Sequence, residues 1–439
     1  MVRWDVTIVG GGILGTCLAY WLGLRYDARV AVLEREAASA AHASGRNTGV
    51  VHRPFYLDPV KAKLFAQVAQ ASFPLWKTYA RERALPWAEV GTLKVALEPA
   101  EVASLEKNVA FAKANGMAED ELEVLDREAV HDLEPNVRCE AALHVKTDSV
   151  VDFRALTQAV RVDAEASGVV FFSNAEVRRI ERRPDHLVLH TQLDWESLET
   201  RFLVNCAGGG SLDIARLLGV GLEYADLHFR GEYWAIDGRA ASLASRNVYT
   251  VPKSADLPFL DPHWIVRPDG RREVGPNAVP VPGLDSYEDL VESLPDWPAK
   301  VFEPPIGNKV RLALSRTFLT LTARELLSSL SRFEMMHRVQ RFLPALREGH
   351  LTERGMAGIR SPVIDPKGQM VKEAIELPGP VSYHILNYNS PGATGAPAYT
   401  AYLADRLAAR GDLDHLKLVP KPARVWSWED VAKRMGLSA

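Results

Sequence analysis

The stretch Asp5-Val-Thr-Ile-Val-Gly-Gly-Gly-Ile-Leu-Gly15 constrains this chain more than any other. Val6 to Val9 reads as a short buried strand. Gly10, Gly12 and Gly15 follow at the G-x-G-x-x-G spacing, and a helix reads from Ile13 to Leu24. The first glycine permits a tight turn, the second lets a pyrophosphate approach the backbone, and the third lets the helix lie close on its strand. The helix start then offers free N–H groups and the positive end of its dipole to an anion. The glycine spacing alone is weak evidence, but here a second apolar strand, Val30-Ala-Val-Leu33, ends in Glu34, about where a ribose hydroxyl needs an acceptor. The segment reads as a dinucleotide site with Gly10, Gly12, Ile13, Gly15, Glu34 and Arg35 as contacts. An acid at Glu34 argues against a 2′-phosphate. FAD and NAD both satisfy this much.

The uncharged run Val6 to Leu24 also has the length of a membrane span, but its glycine cluster breaks such a helix in the middle. No signal peptide and no transmembrane helix are expected. Cys17, Cys139 and Cys206 are odd in number and far apart, which suits neither a disulfide framework nor a zinc site and points to a reducing, cytoplasmic setting. A net charge of −4 gives no nucleic-acid signal, and no metal site is expected.

Two more small-residue turns lie far along the chain. Arg201 to Asn205 reads as a strand that stops in Cys206-Ala-Gly-Gly-Gly210, and Asn389-Ser-Pro-Gly-Ala-Thr-Gly395 opens a helix from Pro397 to Arg410. Ala37 to His52, small and polar, has the composition of a loop that lies against a cofactor ring. Helices are read over Asp58 to Glu82, Phe153 to Ser167 and most of Phe318 to Leu346, and strands dominate Leu222 to Ile236 and Asn247 to Val281. If the three glycine turns meet one ligand, its domain is discontinuous. The expected fold is α/β (α+β overall): a Rossmann-like cofactor domain of residues 1–88, 148–222 and 354–412. Into it is inserted a mainly antiparallel β substrate domain of residues 89–147 and 223–353, and residues 413–439 form a C-terminal tail. Asn308 to Arg347 is basic and leucine-rich. Such a segment suits either an anionic membrane surface or a solvated helix, with the latter preferred, and the tail around Trp426 and Trp428 has the same two readings.

Several motifs run in one order along nearly the whole chain: Ser44-Gly-Arg-Asn-Thr-Gly-Val-Val-His52, Thr147-Asp148 with Val151-Asp-Phe153, Val204-Asn-Cys-Ala-Gly208 and Phe229-Arg-Gly-Glu-Tyr233. They continue with Leu257-Pro-Phe-Leu260, Glu273-Val-Gly-Pro-Asn-Ala-Val279, Gly358-Ile-Arg360 and His384-Ile-Leu-Asn387 with Ser390-Pro391 and Ala393-Thr394. In these the chain resembles the FAD-dependent L-2-hydroxyglutarate dehydrogenases and oxidases, within the broader glycine oxidase and D-amino-acid oxidase superfamily. The resemblance implies bound FAD, oxidation of an α-hydroxy acid to a 2-oxo acid, and electrons passed to quinone or dioxygen. Departures cluster near the expected substrate: His52-Arg-Pro-Phe-Tyr-Leu57 stands for the family's His-Ala-Gly-Ile-Tyr-Tyr, Asp261-Pro-His263 for Gly-Val-His, and Arg360-Ser-Pro362 for Arg-Ala-Gln. Two other readings stay open: an FAD-dependent oxidase of glycine, sarcosine or a D-amino acid, and a noncatalytic FAD-binding protein.

Oxidising a hydroxy acid requires a cation for the carboxylate and a base for the hydroxyl proton. A guanidinium suits the carboxylate because it donates two parallel hydrogen bonds, and Arg360 is the first candidate clamp because the resemblance implies that its strand lies over the flavin, with Arg230 and Arg53 as rivals. His52 is the first candidate base, since an imidazole titrates near neutrality, and His263 is the second. Tyr233 is a candidate carboxylate donor, while Asn277 and Asn387 read as loop-orienting or substrate-binding. Ser44, Asn47, Thr48, Gly49 and Val50 are expected at the flavin, Val177 near the adenine, and Ala207 and Gly208 alongside. Gly392, Ala393 and Thr394 precede a helix whose N-terminus can stabilise negative charge on the reduced ring. His42 raises the question of covalent attachment, and noncovalent FAD is expected.

Overall fold

The computed structural model describes residues 3–192, 197–252, 261–287 and 292–438. The Leu257 to Leu260 motif lies outside them. Among the described residues, Arg3–Val9 forms the middle of a sheet and is buried from Val6 onward, where the strand carries no charge. Five strands run parallel in the order Val170–Phe172, Val30–Leu33, Arg3–Val9, Leu198–Asn205, Ser382–Leu386. Val177–Arg182 and Leu187–Thr191 extend it as an antiparallel meander, and Ile375–Gly379 pairs with the last strand. The chain moves outward on one side of Arg3–Val9 and then returns to its other side. The strand order therefore reverses between Arg3–Val9 and Leu198–Asn205, which opens a crevice at their carboxyl ends.

The glycine-turn helix, Ile13–Arg25, is buried over all thirteen residues. A helix apolar on every side must be wrapped, and Gly392–Ala409 and Phe153–Glu165 pack on it. The tail closes this core. Trp426, 1% exposed, lies edge-on to Trp76 at 5.0 Å and stacks on Trp21 at 5.8 Å, and Trp428 is buried nearby. These tryptophans therefore hold the tail to the helix Ile13–Arg25 and to the helix that carries Trp76, and of the two readings of the tail the structure shows them packed inward.

A second sheet, mostly antiparallel, runs Leu351–Arg354, Trp234–Ile236, Arg272–Gly275, His263–Val266, Asn247–Thr250, Thr92–Ala96, Ala141–Val145, Leu122–Asp126. Two three-stranded sheets join the halves. One pairs His228–Gly231 with Val279–Val281 and Gly358–Arg360, and the other pairs Ser149–Val151 with Val50–Val51 and Trp87–Ala88.

Three helices differ from their sequence readings. The helix expected from Pro397 begins at Gly392 instead and runs Gly392–Ala409, so Gly392, Ala393 and Thr394 form its first turn rather than precede it. The second long helix spans Lys63–Glu82 rather than starting at Asp58, because the Asp58 carboxylate takes the N–H groups of Val60 and Lys61 in a local turn. The run expected to be helical to Leu346 divides into Arg316–Leu330 and Arg332–Gln340, with Ser331 extended between them at φ −135°.

Candidate active site

The crevice opens into a cavity of about 480 Å³. At one end lie Gly10, Gly12, Ile13, Glu34, Arg35, Val177, Ala207 and Gly208, and the wall continues through Ser44, Asn47, Thr48 and Val50 to Gly392, Ala393 and Thr394. The structure thus brings the three glycine turns to one space. Gly10 holds φ at +107°, and a Cβ there would sit 2.5 Å from the Cys206 carbonyl oxygen. Gly15 does not line the cavity: a Cβ on it would come within 2.0 Å of the Gly10 carbonyl oxygen, so its part is to seat the helix on the strand. Gly49 also stands behind the wall, its N–H held by Asn47 Oδ1 at 2.8 Å.

Both ends of this cradle suit a dinucleotide. Glu34 is buried, and its carboxylate accepts the Gly11 N–H at 2.8 Å and the Glu36 N–H at 2.9 Å, which fixes it at the cavity edge with further lone pairs to offer. The residues before the two helices, Gly12 before Ile13–Arg25 and Pro391 before Gly392–Ala409, offer no capping side chain of their own. Two helix N-termini therefore present positive dipole ends to one cavity. Ser44 Oγ accepts the Ile13 N–H at 2.9 Å and Asn47 braces its own loop through Ala43 and Ser44, so both shape the wall. His42 has both ring nitrogens engaged, with Tyr287 Oη and Glu36 Oε1 each at 2.7 Å.

His52 and Asp148 meet because of strand register. Val51 pairs with Ser149, so the residue after one and the residue before the other lie side by side. Asp148 is fully buried. One of its oxygens lies 2.9 Å from His52 Nδ1, and the other accepts the Arg53 N–H at 2.7 Å. That hydrogen bond places the imidazole proton on Nδ1 and leaves Nε2 as the acceptor. Nε2 lies on the cavity side, 3.5 Å from the Tyr249 hydroxyl. The His52 N–H is held by Thr394 Oγ1 at 3.2 Å, which ties the base to the third glycine turn.

Arg360 lies at the end of Gly358–Arg360, opposite Phe229 on the neighbouring strand, and it too lines the cavity. Burial lowers the pKa of its guanidinium, and the electrostatic influence of Tyr233 and Tyr56 partly offsets this. Tyr233 lines the same space, and burial pushes its hydroxyl up to about 12, so it stays a donor. His263 also lines the cavity, and its Nδ1 lies 2.9 Å from the Asp261 carbonyl oxygen. Burial pushes His263 down to about 3, which makes it a neutral acceptor and a poor proton carrier. Its ring stacks on Tyr249 at 4.1 Å.

The rival arginines are turned elsewhere. Arg53 leaves the cavity wall to pair with Glu121 and with Gln70 Oε1 at 2.9 Å. Arg230 pairs with Glu232 at 2.6 Å, both buried. The two asparagines are loop-orienting. Asn277 takes the Glu232 N–H at 2.8 Å and gives a hydrogen bond to the Glu232 carboxylate at 2.7 Å. Asn387 holds Val363, Val371 and Glu373. Sequence reasoning assigned no part to Asp148 or Tyr249. Asp148 lay within a quoted motif, but its partner is 96 positions away. Tyr249 sits in a strand with no marker beyond its ring.

The family model described as DAO, FAD dependent oxidoreductase, matches residues 5–406. The L-2-hydroxyglutarate dehydrogenase of Salmonella houtenae is 30% identical over 407 residues, covering 92% of this chain and 93% of that protein. The mitochondrial L-2-hydroxyglutarate dehydrogenase of Caenorhabditis elegans is 30% identical over 407 residues, covering 90% and 91%. Among solved structures, dithionite-reduced L-alpha-glycerophosphate oxidase from Mycoplasma pneumoniae with FAD bound has a TM-score of 0.72 at 22% identity, covering 97% of this chain and 98% of that one, a likeness of fold.

Proposed function

The chain belongs to the FAD-dependent oxidoreductase family, and from that premise we propose that it oxidises L-2-hydroxyglutarate to the 2-oxo acid. The observation that carries the reading is the convergence of a buried-acid-supported histidine and a cavity-lining arginine on one space beside the dinucleotide crevice. Two relatives that match nearly end to end bear the name of that activity.

Gly10, Gly12, Ile13, Gly15, Glu34, Arg35, Ser44, Asn47, Thr48, Gly49, Val50, Val177, Ala207, Gly208, Gly392, Ala393 and Thr394 are proposed to hold FAD, either directly or by shaping its walls. Residues 1–88, 148–222 and 354–412 then form the cofactor domain, with the tail 413–439 packed on it, and 89–147 and 223–353 form the substrate domain. When bound, FAD would supply the two-electron acceptor that takes the substrate's α-hydrogen as hydride. Arg360 takes the substrate carboxylate in a two-pronged grip, with the Tyr233 hydroxyl as a further donor. His52 Nε2 takes the hydroxyl proton as the carbonyl forms, and the Asp148 carboxylate stabilises the imidazolium so produced. The N-terminus of Gly392–Ala409, at the cavity wall, would stabilise negative charge on a flavin reduced there. His263, neutral, accepts a hydrogen bond from substrate rather than its proton. Electrons then pass to quinone or dioxygen, and a peripheral seat on the inner face of a membrane suits the first.

An anaerobic spectral titration tests the reading. L-2-hydroxyglutarate should bleach the oxidised flavin band, and its D-enantiomer, glycine, sarcosine and glycerol 3-phosphate should not. Bleaching by one of the others alone would transfer the substrate assignment to that compound.

A further inference from the structure

His52 and Asp148 stand just beyond the strands that bring them together. The ladder between Val50–Val51 and Ser149–Val151 ends at Val51 and Ser149, and each side chain belongs to the residue outside it. Strand ends without further ladder hydrogen bonds open readily. The flanks of the pair are held instead by one side chain. Arg53 follows His52, is 5% exposed, and gives its backbone N–H to Asp148 at 2.7 Å. Its guanidinium grips both carboxylate oxygens of Glu121, the second at 3.0 Å, and reaches Thr147 Oγ1 at 3.3 Å. Thr147 precedes Asp148, and its hydroxyl donates to Glu121 at 3.2 Å. Arg53, Glu121 and Thr147 therefore close a ring across the two segments that carry the histidine and its acid.

The ring is anchored on every side. Glu121 Oε2 accepts the Ala118 N–H at 2.9 Å, and the Glu121 carbonyl oxygen accepts the Lys146 N–H at 2.9 Å. The helix Lys63–Glu82 supplies Gln70 Oε1 at 2.9 Å and the Phe73 ring, whose centroid lies 4.3 Å from the guanidinium carbon. Asn115 Nδ2 donates to the Pro54 and Leu57 carbonyl oxygens, each at 2.8 Å, so the chain beyond Arg53 is fixed as well. A buried ion pair is a poor route to stability, since apolar groups of like volume serve at least as well. What a planar two-pronged grip adds is direction. Arg53 is not among the residues that line the active cavity, so it stands clear of substrate.

We propose that Arg53, through Glu121, is a positioning residue. The ion pair holds His52 against Asp148 and so keeps His52 Nε2 aimed into the cavity. The role rests on His52 as the base proposed above. It also accounts for an arginine at the position where the resembling family carries alanine.

The experiment follows flavin reduction by anaerobic stopped-flow in the FAD-loaded protein and in Arg53→Met, which keeps an apolar stem over Phe73 and removes the fork. The rate should fall about 10- to 100-fold, the cost of a displacement near 1 Å, while the substrate dissociation constant changes less than about threefold. Arg53→Lys, which still offers Glu121 a charge, should recover part of the loss. In a His52→Ala background Arg53→Met should cost less than about twofold further. Equal losses in both backgrounds overturn the positioning role, as does an unchanged rate in Arg53→Met. Glu121→Gln carries the same test should Arg53→Met fail to hold FAD. A second readout needs no substrate: the exchange with solvent of the His52 Nδ1 proton, followed by NMR of isotope-labelled histidine and assigned with His52→Ala. That exchange should quicken at least about tenfold in Arg53→Met, and exchange as slow as in the parent overturns the clamp. A parent whose flavin stays oxidised with L-2-hydroxyglutarate would refute the substrate reading alone, and proton exchange would still decide the clamp.

Discussion

Replacing Asp148 by asparagine keeps the shape of the side chain and removes its charge. In the folded protein one carboxylate oxygen serves His52 Nδ1 at 2.9 Å and the other serves the Arg53 N–H at 2.7 Å. An asparagine has one accepting oxygen. If it keeps Arg53, its amide nitrogen faces Nδ1 and donates there, and the imidazole proton moves to Nε2, where the base needs a lone pair. The charge-assisted hydrogen bond contributes about 1.5–3 kcal/mol. An imidazolium and a carboxylate about 4 Å apart attract by about 4 kcal/mol at an effective dielectric near 20. Together these bracket a loss of about 2–4 kcal/mol, or about 30- to 1,000-fold in the rate of flavin reduction. Anaerobic stopped-flow separates that rate from the substrate dissociation constant, and Asp148→Asn should change the first far more than the second. The same substitution in a His52→Ala background should cost little further, because the acid acts through the histidine. A loss of equal size in both backgrounds, with flavin content retained, would refute the positioning argument.

Arg360→Lys replaces a planar fork by a point charge, and substrate affinity should fall about 10- to 100-fold with FAD content unchanged; unaltered affinity would place the carboxylate elsewhere. Trp426→Ala empties the centre of the aromatic cluster packed on Ile13–Arg25, and chemical denaturation should show a loss of about 3–5 kcal/mol. A loss under about 1 kcal/mol would mean that the tail contributes little to the core. Burial pushes His263 down to about 3, and His144, His228 and His384 each down to about 4. Each folded-state value lies below that of the unfolded chain, near 6.5, so between those values the unfolded chain binds the extra proton. Stability is therefore complete above about pH 6.5 and is lost as pH falls toward about 4, by up to about 1.4 kcal/mol per pH unit for each histidine. Urea midpoints measured across that range should fall with acid, and His228→Gln should flatten the slope by about one proton; an unchanged slope would show that His228 does not titrate on unfolding.

Much of the cofactor cradle was legible in order along the chain. A strand, a glycine turn, a helix and a second strand ending in an acid are related over about 30 residues, and local geometry alone turns that spacing into a site. Arg360 and His52 were singled out by the resemblance together with the chemistry a hydroxy acid needs, and both line the cavity. Their surroundings were not. Arg53 and Arg230 carry the same guanidinium as Arg360, and only their pairing with Glu121 and Glu232 removes them from the cavity. His263 reads as a base until burial makes it too weak an acceptor of protons. The tail tryptophans had two readings, and packing decided between them. Trp426 went into the core, while Leu314 and Leu330 were left in water.

The sequence by itself determined the dinucleotide turn, the alternation of strands and helices, and the residue types for an acid–base oxidation, because each depends on neighbours a few positions away. The tertiary structure alone decided which groups meet. The reversal of strand order brings three distant turns to one crevice, and the pairing of Val51 with Ser149 sets Asp148 behind His52. Strand register is chosen by the whole sheet through its shared core, and the protonation of a buried group by everything packed around it. Neither is encoded at the residues that carry out the chemistry.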